Sequence, residues 1–294
     1  MKRREFVRGA AMVGVAGALP AGLRRWPVRS ADHLLVPMDE AQDDHLKAYG
    51  VTFRVLQRGG QGEWLLNHRG GSFLLPSDAA TLRDAGLSGV RVEGVSDADV
   101  TGIKAGMAGG NADAIPLEKV PRVAVYVPPD APPWDDAVTM ALRYAGIDFT
   151  TVWDAEVMGD GLRSIDWLHL HHEDFTGQYS KFYLNYANAP WLQEMVRTQV
   201  AMARKLWFAN VPAAKRAVAQ RIRGFVERGG FLFAMCTATE TLDLALASEH
   251  VDIAASFADG TPMDPEASSK MDWSQALALQ DARLVLDPTE PEFS

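Results

Sequence analysis

From Arg122 onward the sequence alternates two kinds of segment, and this alternation restricts the fold more than any other feature. Val123-Ala124-Val125-Tyr126-Val127, Phe149-Thr150-Thr151-Val152-Trp153, Ile165–His171 and Phe231-Leu232-Phe233-Ala234-Met235 are short and mostly apolar, as strands buried on both faces are. Between them, Trp134–Ala145, Pro190–Phe208 and Ala213–Arg228 read as helices, and Glu240–Ala247 supplies another after the last strand. Pro128–Pro133 is a loop that cannot be helical. Residues 121–294 are therefore expected to form an α/β domain: an open, mostly parallel sheet with helices on both faces. Sites in such sheets lie beyond the carboxyl ends of the strands, so Pro128–Pro133, His171–Gly177 and Cys236–Thr239 should share one edge.

Residues 32–120 read as a smaller α+β region. Asp39 to Leu56 has helical spacing with acidic residues near its start, and Glu63–Pro76 suggests two strands around the Gly70-Gly71 turn. Ser77 or Asp78 can cap a helix reaching Ala85, and Val90–Val95 alternates as a strand does. The glycine-rich stretch Gly102–Gly110 is expected to be a linker or a boundary loop, not a phosphate loop, because it does not join a strand to a helix.

The chain opens Met1-Lys2-Arg3-Arg4-Glu5-Phe6-Val7, followed by a mildly apolar run rich in Gly and Ala to Leu19. Paired arginines ahead of such a run make residues 1–31 an expected twin-arginine signal peptide and leader, and the mature protein periplasmic or extracellular. The apolar run is too short to cross about 30 Å of hydrocarbon, so no stable membrane span is expected after processing. A net charge of −9 argues against nucleic acid as a partner, because phosphate-backbone binding needs a concentrated basic face. A small polar molecule is the expected ligand. With Cys236 as the single cysteine, no intramolecular disulfide can form.

The segment Gly229-Gly230-Phe231-Leu232-Phe233-Ala234-Met235-Cys236-Thr237-Ala238-Thr239-Glu240 resembles the strand-to-helix elbow of class I glutamine amidotransferases, whose pattern is Gly-x-Cys-x-Gly-x-Gln. An elbow of this kind needs small neighbours two residues either side of the nucleophile, and the helix that follows favours a thiolate and offers N–H groups to an oxyanion. Ala234 and Ala238 stand where that family has glycine, and Glu240 stands where it has glutamine. The resemblance implies a flavodoxin-like domain with Cys236 as nucleophile and Thr237 as oxyanion donor. The family's histidine comes from later in the chain, where only His250 is present, so the base is instead expected from His169, His171 or His172.

His169-Leu170-His171-His172-Glu173-Asp174-Phe175-Thr176-Gly177-Gln178-Tyr179 is the most chemically loaded stretch. On a strand, His169 and His171 point to the same side and could chelate a divalent metal with Glu173 or Asp174. Alternatively His171 and Glu173 serve the thiol, while His172, Asp174, Gln178 and Glu240 meet substrate or order the loop. This stretch, with Asn188-Ala189-Pro190-Trp191, Leu65–Phe73 and Asp39–Gln42, also resembles exported bacterial proteins labelled asparagine synthetase B. That label implies an N-terminal cysteine and a Ser-Gly-Gly-x-Asp-Ser loop. Residue 2 is Lys and no such loop occurs, so ATP-dependent asparagine synthesis is not expected. Three readings remain open: a cysteine-dependent amidohydrolase or acyl transferase acting on C–N bonds, a non-catalytic ligand-binding or partner-binding protein of the same fold, and a metal-assisted hydrolase.

Overall fold

A computed structural model describes residues 31–129, 131, 137–290 and 292–294. The leader expected over residues 1–31 lies outside them except for Ala31, as do Asp130 and 132–136 between the first apolar strand and the helix after it.

The first region runs β1 (His33–Val36), α1 (His45–Gln57), β2 (Gly62–Leu66), β3 (Ser72–Pro76), α2 (Ala79–Ser88), β4 (Glu93–Val95), α3 (Asp97–Met107) and β5 (Asp113–Leu117). Its strands form one antiparallel sheet in the order β4-β1-β3-β2-β5. The β2–β3 hairpin turns at Gly70 and Gly71, with φ of 78° and 89°, as the Gly-Gly pair predicts. α1 begins at His45 and not at Asp39, because Asp44 caps it by accepting from the Lys47 N–H. Asp39 is instead drawn to Arg69, which also takes Glu93.

Gly102–Gly110 is not a linker. Residues 97–107 form α3 in spite of Gly102 and Gly106, since Ser96 and Asp99 close a capping box and Ile103, Val100 and Met107 pack against Leu35, Leu65 and Leu74. On the opposite sheet face, Val51, Val55 and Ala85 from α1 and α2 meet Val36, Phe73 and Leu75. The alternation along β1 and β3 divides one sheet between two apolar layers.

The second region contains β6 (Val123–Tyr126), α4 (Ala137–Ala145), β7 (Phe149–Val152), α5 (Asp154–Met158), β8 (Trp167–Leu170), α6 (Tyr183–Tyr186), α7 (Pro190–Lys205), α8 (Val211–Glu227), β9 (Phe231–Ala234) and α9 (Ala238–Ala247). Its strand order is β7-β6-β8-β9, and every pair is parallel. The step from β6 to β7 runs opposite to the steps from β7 to β8 and β9, so right-handed crossovers put α4 on one face and α5 and α8 on the other. On the α8 side Ala124, Tyr126, Leu168 and Leu170 meet Val157, Val218, Ile222 and Leu242 in the main core.

The α/β class and the parallel sheet match the sequence reading, but β9 is not buried on both faces. It is an edge strand, with Phe231 58%, Phe233 45% and Met235 39% exposed, while Leu232 and Ala234 pack inward. α1 and α4 join the two regions. Arg54 donates to the Ala145 carbonyl at 3.0 Å and Tyr144 to Asp44 at 2.5 Å. Gly50 permits this approach, because a Cβ there would overlap the Ala145 carbonyl oxygen. After α9 the chain folds back through two short helices, Ser256–Asp259 and Ala267–Lys270. The Asp243 carboxylate holds this return by accepting from the N–H groups of Leu277, Ala278 and Leu279, each at 2.8 Å. No described helix is long and apolar enough to cross a membrane.

Asp166 clamps the amino ends of β6 and β8, taking the Arg122 backbone N–H and two guanidinium N–H groups, all at 2.9 Å. These bonds hold its carboxyl well below the usual carboxylate range. A depressed carboxylate pKa contributes stability above its unfolded value of about 3.9 and loses it as pH falls through the lower folded value. Asp166→Asn should cost about 1 kcal/mol at pH 7, since Arg122 is largely exposed, and should flatten the acid limb of a stability-versus-pH curve below pH ~4. An acid limb identical to wild type would assign acid sensitivity to other carboxylates.

Candidate functional site

β9 ends at Ala234 and α9 begins at Ala238, so the chain reverses within Met235-Cys236-Thr237. Cys236 carries the bend at φ 51°, in the left-handed region that side chains avoid, and its side chain is exposed. Such a conformation costs on the order of 1 kcal/mol and persists only where neighbours enforce it. Here the Met235 N–H donates to Leu170 O at 3.0 Å, the Ala238 N–H to His171 O at 3.3 Å, and the Thr239 N–H and hydroxyl both reach Cys236 O at 3.1 and 2.6 Å. These bonds turn the residue's carbonyl into α9 and its thiol outward. Ala238 is fully buried in the core and Ala234 packs against it, which explains why both are small.

Among the described residues, Sγ meets Thr237 Oγ1 at 3.7 Å, and no histidine hydrogen-bonds the thiol. No backbone carbonyl among the described residues accepts from the Thr237 N–H. Glu240, in the first turn of α9, accepts from the Ser294 hydroxyl at 2.7 Å.

β8 lies beside β9 and delivers the histidine-rich stretch to the same edge. His169 is buried within the sheet, its ring stacked on Phe233 at 5.5 Å, and His171 follows on the same side with ring centroids 6.5 Å apart. His171 and His172 are half-buried with Nδ1 atoms 3.2 Å apart. The Glu173 carboxylate accepts from the His171 N–H at 2.8 Å, while its carbonyl accepts from Thr241 Oγ1 at 2.8 Å. Together with the Ala238 N–H bond to His171 O, this stitches the His171–Glu173 segment to α9 at two points.

Other expected roles are redistributed. Asp174 and Gln178 are buried and engaged internally, not presented to a ligand. Asp174 accepts from Thr176 N–H at 2.8 Å, Thr176 Oγ1 at 2.5 Å, Gln178 N–H at 2.9 Å and Ser180 N–H at 2.8 Å. Gln178 spans Thr176 Oγ1 and the Ala255 N–H. The loop they hold contains an unusual run, with Tyr179, Ser180 and Lys181 at φ 55°, 53° and 56°. Burial pushes the Tyr179 hydroxyl up to about 12 and lowers the pKa of Lys181, whose ammonium donates to the carbonyls of Val285, Asp287 and Glu292. For a metal, no group of three His, Cys, Asp or Glu side chains among the described residues is placed to hold one. His169 packs on Phe233 inside the sheet, and the nearer partner of His171 is His172.

The sequence reading missed a buried trio below this edge. Lys215 donates to Asp154 Oδ1 and to the Tyr126 hydroxyl, each at 2.9 Å, and that hydroxyl also bonds to Asp154. All three are at most 3% exposed. Burial first, then the Asp154 charge, raises the Tyr126 pKa well above its ordinary value. The Phe175 ring lies 5.5 Å from that of Tyr126, linking the trio to the loop after β8. A signal was present, since Lys215 interrupts the apolar stripe Val211, Ala214, Val218 and Ile222 of α8.

Comparison with protein-family models, curated proteins and solved structures finds no match to this chain.

Proposed function

We propose that this chain is an exported, glutamine-amidotransferase-like protein that cleaves or transfers at C–N bonds through Cys236. The observation that carries the reading is the exposed thiol on a left-handed bend between a parallel strand and a helix, bonded through backbone to the His171–Glu173 segment. The strand order β7-β6-β8-β9 supports the same reading, because it is the 2-1-3-4 start of a flavodoxin-like sheet. In this scheme His171 or His172 takes the thiol proton as the Cys236 sulfur attacks an amide carbonyl carbon, and the Thr237 N–H receives the developing oxyanion. Collapse breaks the C–N bond, with His171 or His172 returning a proton to the leaving nitrogen. Water then hydrolyses the thioester, or an acceptor amine takes the acyl group. Glu173 positions His171 by accepting from its backbone N–H, and Glu240, in the first turn of α9, is the group assigned in this scheme to a substrate amine.

The thiol should be alkylated by iodoacetamide at pH 7 faster than free cysteine, and Cys236→Ala should abolish any amidase turnover detected with a panel of small amides. Labelling no faster than free cysteine would remove the nucleophile. A second reading, a ligand-binding protein of the same fold without turnover, is favoured because the hydrogen-bond partner of Sγ among the described residues is the Thr237 hydroxyl, at 3.7 Å. It expects small polar ligands to bind Cys236→Ala as they bind wild type.

A further inference from the structure

At the opposite edge of the parallel sheet, below the amino ends of β8 and β9, lies a cleft of about 720 Å³. One wall is a single face of α8, where Arg221, Gly224, Phe225 and Arg228 recur at helical spacing. The other wall is the turn after α5, bearing Asp160 and Arg163, and the strand lead-in at Asp166.

The charges here do not cancel. Asp160 is matched by Arg163 at 2.9 Å and Asp166 by Arg122, which leaves Arg221 and Arg228 with no ion pair among the described residues. The position of Arg228 is informative, because a Cβ built on Gly224 would stand 3.2 Å from its Nη1. Its guanidinium therefore lies back over the bare helix face, toward Arg221 two turns earlier. The carbonyl end of α8 points the same way and by itself disfavours an anion. Two of its terminal carbonyls are taken, however: the Gly229 N–H donates to Val226 O at 2.8 Å and the Gly230 N–H to Phe225 O at 3.0 Å. A chain of net charge −9 thus carries a positively biased cleft floored by glycine.

We propose that this cleft binds a small oxyanion of the phosphate class, gripped between Arg221 and Arg228 at a site separate from Cys236. Guanidinium groups suit this ligand because their planar N–H pairs match tetrahedral oxyanions. Calorimetric titration of the full chain with inorganic phosphate should give saturable binding. Arg221→Gln/Arg228→Gln should weaken it at least tenfold, and Cys236→Ala should leave it unchanged. Gly224→Ala should also weaken binding severalfold without loss of thermal stability, since alanine favours the helix while displacing the Arg228 guanidinium. A titration with glycerol phosphate that binds more tightly than inorganic phosphate would place an esterified phosphate in the cleft, and the reverse a free one. No saturable binding, or equal affinity in wild type and the double arginine variant, would overturn the site and would leave the Cys236 reading untouched.

Discussion

Lys215→Met should lower the unfolding free energy by about 3–5 kcal/mol, read as a shift of the urea midpoint at unchanged slope. Methionine fills nearly the volume of the lysine stem, so the loss is electrostatic and not a cavity. It strands the Asp154 carboxylate, 2% exposed, with the Tyr126 hydroxyl as its remaining side-chain partner. An uncompensated carboxylate in that environment either stays ionised at a large desolvation cost or takes up a proton. Combining Lys215→Met with Asp154→Asn removes the stranded charge and should recover more than half of the loss, a coupling that distant sites do not show. A single-variant loss below 1 kcal/mol would mean that the trio is hydrated in solution. Because Tyr126 ends β6, Asp154 opens α5 and Lys215 belongs to α8, the trio fixes three elements below the edge that carries Cys236.

How much of this was legible beforehand depended on whether a feature is local or depends on neighbours. The strands from Val123 to Ala234 were legible because apolar run length needs no knowledge of partners, and the Gly70-Gly71 hairpin because positive φ is local chemistry. The bend at Cys236 was legible for a related reason: small residues on either side of a cysteine, between an apolar run and a helix, leave the chain few alternatives. Gly102–Gly110 misled, since glycine lowers helix propensity while the Ser96–Asp99 box and the apolar contacts of Ile103 and Met107 outweigh it. β9 misled in the opposite sense. Its residues are apolar throughout, but its place at the edge leaves Phe231 and Phe233 uncovered, and edge position follows from sheet order. Asp174 and Gln178 looked like ligand groups because composition cannot tell a carboxylate that meets solvent from one that meets its own backbone.

That last distinction makes Asp174→Ala a decisive substitution. The carboxylate accepts four hydrogen bonds from the loop that follows it. Bonds to a charged acceptor are worth about 1.5–3 kcal/mol each, and as one cluster they are not additive, so a total loss of about 3–5 kcal/mol is expected. The loss should be local before it is global. Tyr179, Ser180 and Lys181 hold left-handed conformations that the Asp174 bonds to Gln178 and Ser180 help enforce, and without them the segment should relax and become a cleavage site for added protease. Relaxation would hydrate Tyr179, moving its hydroxyl from about 12 back toward 10 in a spectrophotometric titration. Ser180→Gly separates strain from bonding: glycine accepts positive φ freely, so it should add about 1 kcal/mol to wild type, where Ser180 is held at φ 53°. It should add less to Asp174→Ala, where the segment has already relaxed out of the left-handed conformation. Equal effects in both backgrounds would show that the carboxylate and the left-handed run act independently, and the loop after β8 would then owe its shape to the packing of Tyr179 and Phe175 alone.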